Sequence, residues 1–279
     1  MKIALAACLS LLILLPATSR SESKTPTTGT TRMIASGGHR IAFHVTPGHL
    51  PVIVLDAGGG LDSTYWDTLV PEIAKRTGSM VITYDRSGFG ASDEVKGPWN
   101  VQRATDDLAT GLVKLGATRD VILVSHSLAG EIATYLTQRH PQWFAGAVLV
   151  DANVADYFTD ATIAATAAEY APAIAAARAA PSSPEGRQLL ALSDSFVETS
   201  RAFHSASWPT SVPVVVIVSE KTPANTPAAA QWWRDAHAQF AKGAPNRHLV
   251  VAERSSHDVA HDRPDVILQA IADVAAKRR

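Results

Sequence analysis

Val121-Ile122-Leu123-Val124-Ser125-His126-Ser127-Leu128-Ala129-Gly130 is the stretch that decides the fold. Four consecutive apolar residues of strand type run into a small-x-Ser-x-small turn, and Ile132 and Leu136 then follow at helical spacing. This is the pattern of a nucleophile elbow. A serine whose hydroxyl must stand clear of a sheet needs a sharp strand-to-helix turn. The residues two before and two after it must be small, because strand and helix backbones crowd there. Ser125 and Ala129 hold those positions, where glycine is usual. The turn also aims the Leu128 amide, at the helix N-terminus, toward any negative charge developing on a bound oxygen. His126, beside the nucleophile in sequence, is expected to pack or hydrogen-bond beneath the elbow.

Further runs of the same kind flank this stretch. Val52 to Leu55, Met80 to Tyr84, Ala147 to Val150, Val214 to Val218 and Leu249 to Ala252 are short and continuously apolar, as strands buried on both faces of a parallel sheet are. Ile41, Phe43 and Val45 alternate with polar neighbours, as in a half-buried strand after the Gly37-Gly38 turn. Helical patterns separate the strands. Leu108, Leu112 and Leu115 repeat before Gly116, one helix must end near His140-Pro141, and Pro264 opens a last one. Strand–helix alternation predicts an α/β, mostly parallel, doubly wound sheet over 32–279. The Ala-rich stretch at about 153–210 breaks the rhythm and reads as a helical cap inserted over the sheet. Its aromatics Phe158, Phe196, Phe203 and Trp208 are expected either to wall an apolar pocket or to pack the cap onto the core.

The N-terminus reads differently. Lys2, the apolar run from Ile3 to Leu15 and the small residues Ala17-Thr18-Ser19 have the layout of a secretory signal over 1–19, and the run is too short to span a bilayer. The Ser-, Thr-, Pro- and Gly-rich residues 20–31 read as a linker. A secreted or periplasmic protein is therefore expected. Cys8, the only cysteine, lies within the signal, so neither a disulfide nor thiol catalysis is expected. Hydrophobic residues at 46 % and charged residues at 18 % exclude a disordered chain and a multi-span membrane protein. A formal net charge of -1 gives no drive toward nucleic acid or anionic lipid. The expected partner is a small molecule, with no nucleic acid and no stable membrane insertion of the mature chain.

Two more segments carry chemistry. The strand ending at Leu55 leads into Asp56-Ala57-Gly58-Gly59-Gly60, glycines that let a backbone approach a ligand closely. The strand ending at Ala252 leads into Glu253-Arg254-Ser255-Ser256-His257, and of the ten histidines His257 alone has both the position, just after the last strand, and the context of a base. His257 and His261 also stand four apart, as paired zinc ligands do on a helix, but Ser255-Ser256 before them and Arg263-Pro264 after them leave little room for one, and no third ligand is evident.

Together with the loop Tyr84-Asp85-Arg86-Ser87-Gly88-Phe89-Gly90-Ala91-Ser92-Asp93, these features resemble the α/β-hydrolase superfamily, in its esterase, haloperoxidase-like and dehalogenase-like branch, from about Met33 to Val274. The resemblance implies a serine hydrolase with Ser127 as nucleophile and His257 as general base. The Gly59 amide, with Gly58 as the near alternative, would complete an oxyanion hole with Leu128. The usual acid position after the strand ending at Val218 holds Thr222, so the acid is sought at Asp151, at the end of the strand after the elbow helix, with Glu220 as the alternative. No metal or organic cofactor is implied. Carboxylic esters of small to medium apolar substrates are the expected substrates. An aminopeptidase or amidase with the same triad, or a binding protein that kept the fold, are the alternatives.

Overall fold

The structure, a computed structural model, describes residues 29–179 and 184–276. The signal segment and most of the linker lie outside the described residues. Strand β1 (Thr30–Ser36) begins two residues inside the stretch read as linker, because Thr30 pairs with Val45 in an antiparallel ladder with β2 (His39–Thr46). Then follow β3 (His49–Asp56), α1 (Leu69–Thr77), β4 (Ser79–Asp85), α2 (Val101–Leu115), β5 (Val121–His126), α3 (Ala129–Arg139) and β6 (Phe144–Val150). The chain continues through α4 (Asp160–Ala179), α5 (Pro184–His204), β7 (Val214–Ser219), α6 (Pro227–Lys242), β8 (Arg247–Ala252), α7 (Val259–Asp262) and α8 (Pro264–Ala276). The eight strands form one sheet in the order β1-β2-β4-β3-β5-β6-β7-β8, antiparallel at β1, β2 and β4 and parallel from there on. This is the expected α/β architecture.

The central strands of the sheet are buried on both faces. Phe43, Val54, Leu123 and Leu149 pack with α2, α3 and α6 on one face, and Ile53, Ile122, Val148 and Ile217 pack with α1 and α8 on the other. From β3 the chain passes to β4 on one side, and from β5 to β6 on the other. The carboxyl ends of the paired strands β3 and β5 therefore open a crevice at a topological switch point, where ligands of such sheets bind. Asp56 and Ser125 stand in register there, which places the glycine loop beside the elbow.

Helices α4 and α5 lie between β6 and β7 in sequence and cross the carboxyl ends of the strands. Trp99 donates to the Ala191 carbonyl, Gln188 to that of Gly88, and His204 to that of Ala155. Phe158, Phe203 and Trp208 are fully buried in the core cluster and Phe196 packs partly buried against it, so these aromatics serve packing of the cap onto the core. One expectation needs correction. Leu249 to Ala252 was read as buried on both faces, but β8 is the edge strand, and Leu249 and Val251 are 38 % and 51 % exposed. An apolar run reports strand type here, and its position at the sheet edge decides burial. Among the described residues no helix is long and apolar enough to cross a membrane.

Helix α2 lies directly on β2, since a Cβ at Gly111 would fall inside the Phe43 ring, itself stacked on Tyr84 with centroids 5.4 Å apart. Replacing Gly111 by Ala gains about 1 kcal/mol of helix propensity but overpacks a closed site, at about 1–3 kcal/mol. Gly111→Ala is expected to lower the urea unfolding midpoint; an unchanged or higher midpoint would show that the helix can lift at no cost.

Candidate active site

β5 is buried at every residue and delivers Ser127 on a turn with φ 55°, a left-handed conformation that a non-glycine residue adopts only under constraint. The constraint is visible. The Ser127 carbonyl accepts from the Gly130 amide at 3.0 Å and from the Asn153 amide at 2.8 Å. A Cβ at Gly130 would collide with the Asn153 carbonyl, so only glycine lets the segment after β6 lie on the first turn of α3. Ser125 and Ala129 are both fully buried, as the crowding at the elbow demands.

The expected triad positions meet. His257 Nδ1 lies 2.7 Å from Asp151 Oδ2 and His257 Nε2 lies 2.9 Å from Ser127 Oγ. Asp151 is wholly buried at the end of β6, also in the left-handed region at φ 43°. Burial pushes its pKa up. The hydrogen bond and charge of His257, together with the Ser219 hydroxyl, outweigh this and hold it well below the usual carboxylate range. An ionised Asp151 only accepts, so Nδ1 of His257 carries the proton and Nε2 offers its lone pair to the Ser127 hydroxyl. Asp151 further accepts from Trp233 Nε1 at 2.8 Å, from Ser219 Oγ at 2.6 Å and from the Ser219 amide at 3.0 Å. Glu220 is exposed and its carboxylate accepts from the Arg254 amide at 2.6 Å. It is committed to the backbone at the start of the loop after β8 and has no hydrogen bond to His257.

His126 packs and hydrogen-bonds at the elbow, against His257, with ring centroids 4.6 Å apart. Its Nε2 donates to the His257 carbonyl at 3.0 Å, and its ring stacks on Tyr65 with centroids 4.8 Å apart. Burial, helped by the charge of His257, lowers its pKa to about 3, so it stays neutral and holds the backbone of the His257 loop. A Cβ at Gly58 would lie 2.8 Å from His126 Nδ1 and 3.2 Å from Ser127 Cβ, so the glycine loop passes directly over the elbow.

Arg86 orients that loop. It is buried, pairs with Asp56 at 2.6 Å, and donates to the carbonyls of Ala57 and Gly58. In a trans peptide the carbonyl and the following N–H point in opposite directions. With the Gly58 carbonyl turned to Arg86, the Gly59 N–H points the other way. Asp56 also accepts from the Tyr84 hydroxyl at 2.8 Å. Leu128 starts α3 and is nearly buried. The alternative metal pair does not converge. His261 Nδ1 engages Asp258 at 2.8 Å, α7 has four residues, and among the described residues no group of three His, Cys, Asp or Glu side chains is arranged to hold a metal.

Arg86, Trp233 and Ser219 escaped the sequence reading. Trp233 and Ser219 contact a residue 82 and 68 positions away, with no local pattern to announce it. Arg86 stands in the loop after β4, and its burial is the signal that motif reading lacks.

A family model described as the alpha/beta hydrolase family matches residues 53–270. The chain is 25 % identical over 232 residues to the uncharacterized protein YqjL of Bacillus subtilis, covering 80 % of this chain and 82 % of that one. It is 34 % identical over 119 residues to a non-heme haloperoxidase of Rhodococcus erythropolis, covering 42 % of each chain. Among solved structures, a thermophilic esterase from Thermogutta terrifontis superimposes with a TM-score of 0.61 at 22 % identity, over 90 % of this chain and 98 % of that one. A bromoperoxidase from Bacillus anthracis does so with a TM-score of 0.65 at 18 % identity, over 89 % and 100 %. These structural likenesses establish the fold.

Trp233→Phe keeps the ring against Tyr157 and His237 and removes one hydrogen bond to the ionised Asp151. A hydrogen bond to a charged group contributes about 1.5–3 kcal/mol, and the variant is expected to lose stability of this size at neutral pH. Because the folded-state pKa of Asp151 is depressed, this contribution is present above the ordinary value of 3.8 and fades as pH falls below it. Urea unfolding of both proteins against pH checks it; a gap that does not narrow in acid would show that the loss is packing alone.

Proposed function

The chain belongs to the alpha/beta hydrolase family, and from that premise we propose that it hydrolyses carboxylic esters of small to medium apolar substrates through an acyl-enzyme on Ser127. The observation that carries this reading is the unbroken path Ser127 Oγ–His257 Nε2 at 2.9 Å and His257 Nδ1–Asp151 at 2.7 Å, built on a strained turn. In the first half-reaction His257 takes the Ser127 proton as Oγ attacks the acyl carbon, then gives it to the departing alkoxide. Asp151 holds the tautomer and stabilises the imidazolium that forms. Developing oxyanion charge falls to the Gly59 and Leu128 amides, the first turned away from Arg86 and the second at the start of α3. Water then attacks the acyl-enzyme with His257 again as base, releasing the acid and restoring Ser127.

Burial of the reacting groups favours small substrates. Ser127 is 1 % exposed and the His257 side chain 13 %, so both are largely shielded from solvent. The basic and apolar residues at 1–19 support export as the setting, and the enzyme is proposed to act outside the cytoplasm.

The test compares aryl esters with aminoacyl amides and three variants. Esters are expected to turn over faster, and Ser127→Ala to remove that turnover while the protein stays folded. Asp151→Asn deletes the charge and favours the wrong tautomer, so kcat should fall on the order of 10⁴-fold. Glu220→Gln should remain within about tenfold of wild type, since a loop carboxylate outside the reacting path has no part in the transition state. A crippled Glu220→Gln beside an active Asp151→Asn would overturn the acid assignment, and preference for amides would overturn the substrate class.

A further inference from the structure

Glu131 is a buried carboxyl that the proposed reaction leaves unused. It stands in the first turn of α3, four residues after Ser127, and is 3 % exposed. Its Oε1 accepts from Asn153 Nδ2 at 2.8 Å. Among the described residues, neither Glu131 Oε2 nor Asn153 Oδ1 has a hydrogen-bond partner. Asn153 is the residue whose backbone N–H holds the Ser127 carbonyl, and it follows the acid Asp151 by two positions. The Glu131–Asn153 pair therefore bridges the elbow helix and the loop that carries the acid. Each of those segments is strained, at Ser127 and at Asp151 respectively.

The pair has one donor group engaged and two acceptor oxygens left over. An ionised carboxylate here would leave an anionic oxygen unpartnered in a dry site, at a large desolvation cost. A single proton on Glu131 removes the charge and turns Oε2 into a donor, which corrects the pair's excess of acceptors. We propose that Glu131 is held as a neutral acid and, with Asn153, is a positioning residue that locks the Asp151 loop against the Ser127 turn. This rests on the catalytic reading of Ser127 and Asp151.

The surroundings agree. Burial is the largest influence on Glu131 and raises its pKa to about 7, against the opposing hydrogen bond of Asn153. Tyr135, one turn along α3, is the titratable neighbour whose ionisation the Glu131 charge opposes. Asp151, from the facing loop, is a like charge turned away into its bonds with His257, Trp233 and Ser219. The α3 N-terminus favours a carboxylate, but by less than burial without a counter-charge removes.

Wild type, E131A and E131Q are compared for kcat and KM on an aryl ester against pH, for the infrared carbonyl stretch of a protonated carboxyl, and for urea unfolding. E131A is expected to lower kcat by about tenfold or more with KM within about threefold, because misplacing a catalytic group affects the transition state first. E131Q keeps the shape and a donor, so it is expected to restore kcat to within about threefold of wild type and to abolish a decline in wild-type kcat as pH rises through about 7. Wild type should carry an infrared band of a protonated acid in mild acid that E131Q lacks. The folded-state pKa is raised, so the stability of wild type relative to E131Q is greatest below the ordinary value of 4.5 and is lost as pH rises to about 7. E131Q as damaged as E131A, or no protonated-acid band in mild acid, would overturn the proposal. The infrared and unfolding readouts stand without any turnover, so they separate failure here from failure of the ester-hydrolase reading, and they decide the matter if E131A does not fold.

Discussion

A carboxylate wholly out of water, Asp151, is the constraint around which the site is organised. Removing such a charge from solvent costs several kcal/mol even after relaxation, and it stays ionised only where hydrogen bonds and an attracting charge offset that. Four donors supply them, drawn from β7, from α6 and from the loop after β8. Satisfying one charge thus ties three later segments of the chain to the end of β6. The same bonds set the orientation of His257, so what keeps the buried carboxylate charged also fixes the imidazole in the orientation that the proposed reaction requires.

The nucleophile side is organised by strain. Ser127 and Asp151 both occupy the left-handed region, at a cost of about 1–3 kcal/mol each. They are held by bonds that cross between their segments, the Asn153 amide to the Ser127 carbonyl above all. Arg86 performs a comparable task for the glycine loop by gathering two successive carbonyls, which frees the opposite edges of those peptides. A parallel sheet with its switch point between β3 and β5 brings these three segments to one crevice.

Where a feature depends on neighbours in sequence, it could be read directly. The elbow from Val121 to Gly130 is such a feature, since its crowding, its strained serine and its helix start all arise within ten residues. Asp151 was legible because a strand end beside the elbow strand is a definite place, even though Thr222 stands where the acid is usual. Contacts across the chain were not legible. Trp233 reaches Asp151 over 82 residues, and nothing in the run Gln231-Trp232-Trp233 tells that the second indole is buried while the first is exposed. Glu131 is buried where Gly130 lets the segment after β6 lie on the first turn of α3, a contact across the chain that no local pattern marks. Leu249 to Ala252 misled in the opposite sense, because a strand's apolar content does not say whether a neighbour will cover it.

The central claim is that Ser127 is an activated nucleophile, and covalent capture tests it without assuming a substrate. Intact wild-type protein treated with a fluorophosphonate and digested should carry one adduct, mapped by mass spectrometry to Ser127, with the rate of labelling falling when Asp151 is replaced by Asn. A protein that stays unlabelled, or one labelled at another residue, would contradict the account.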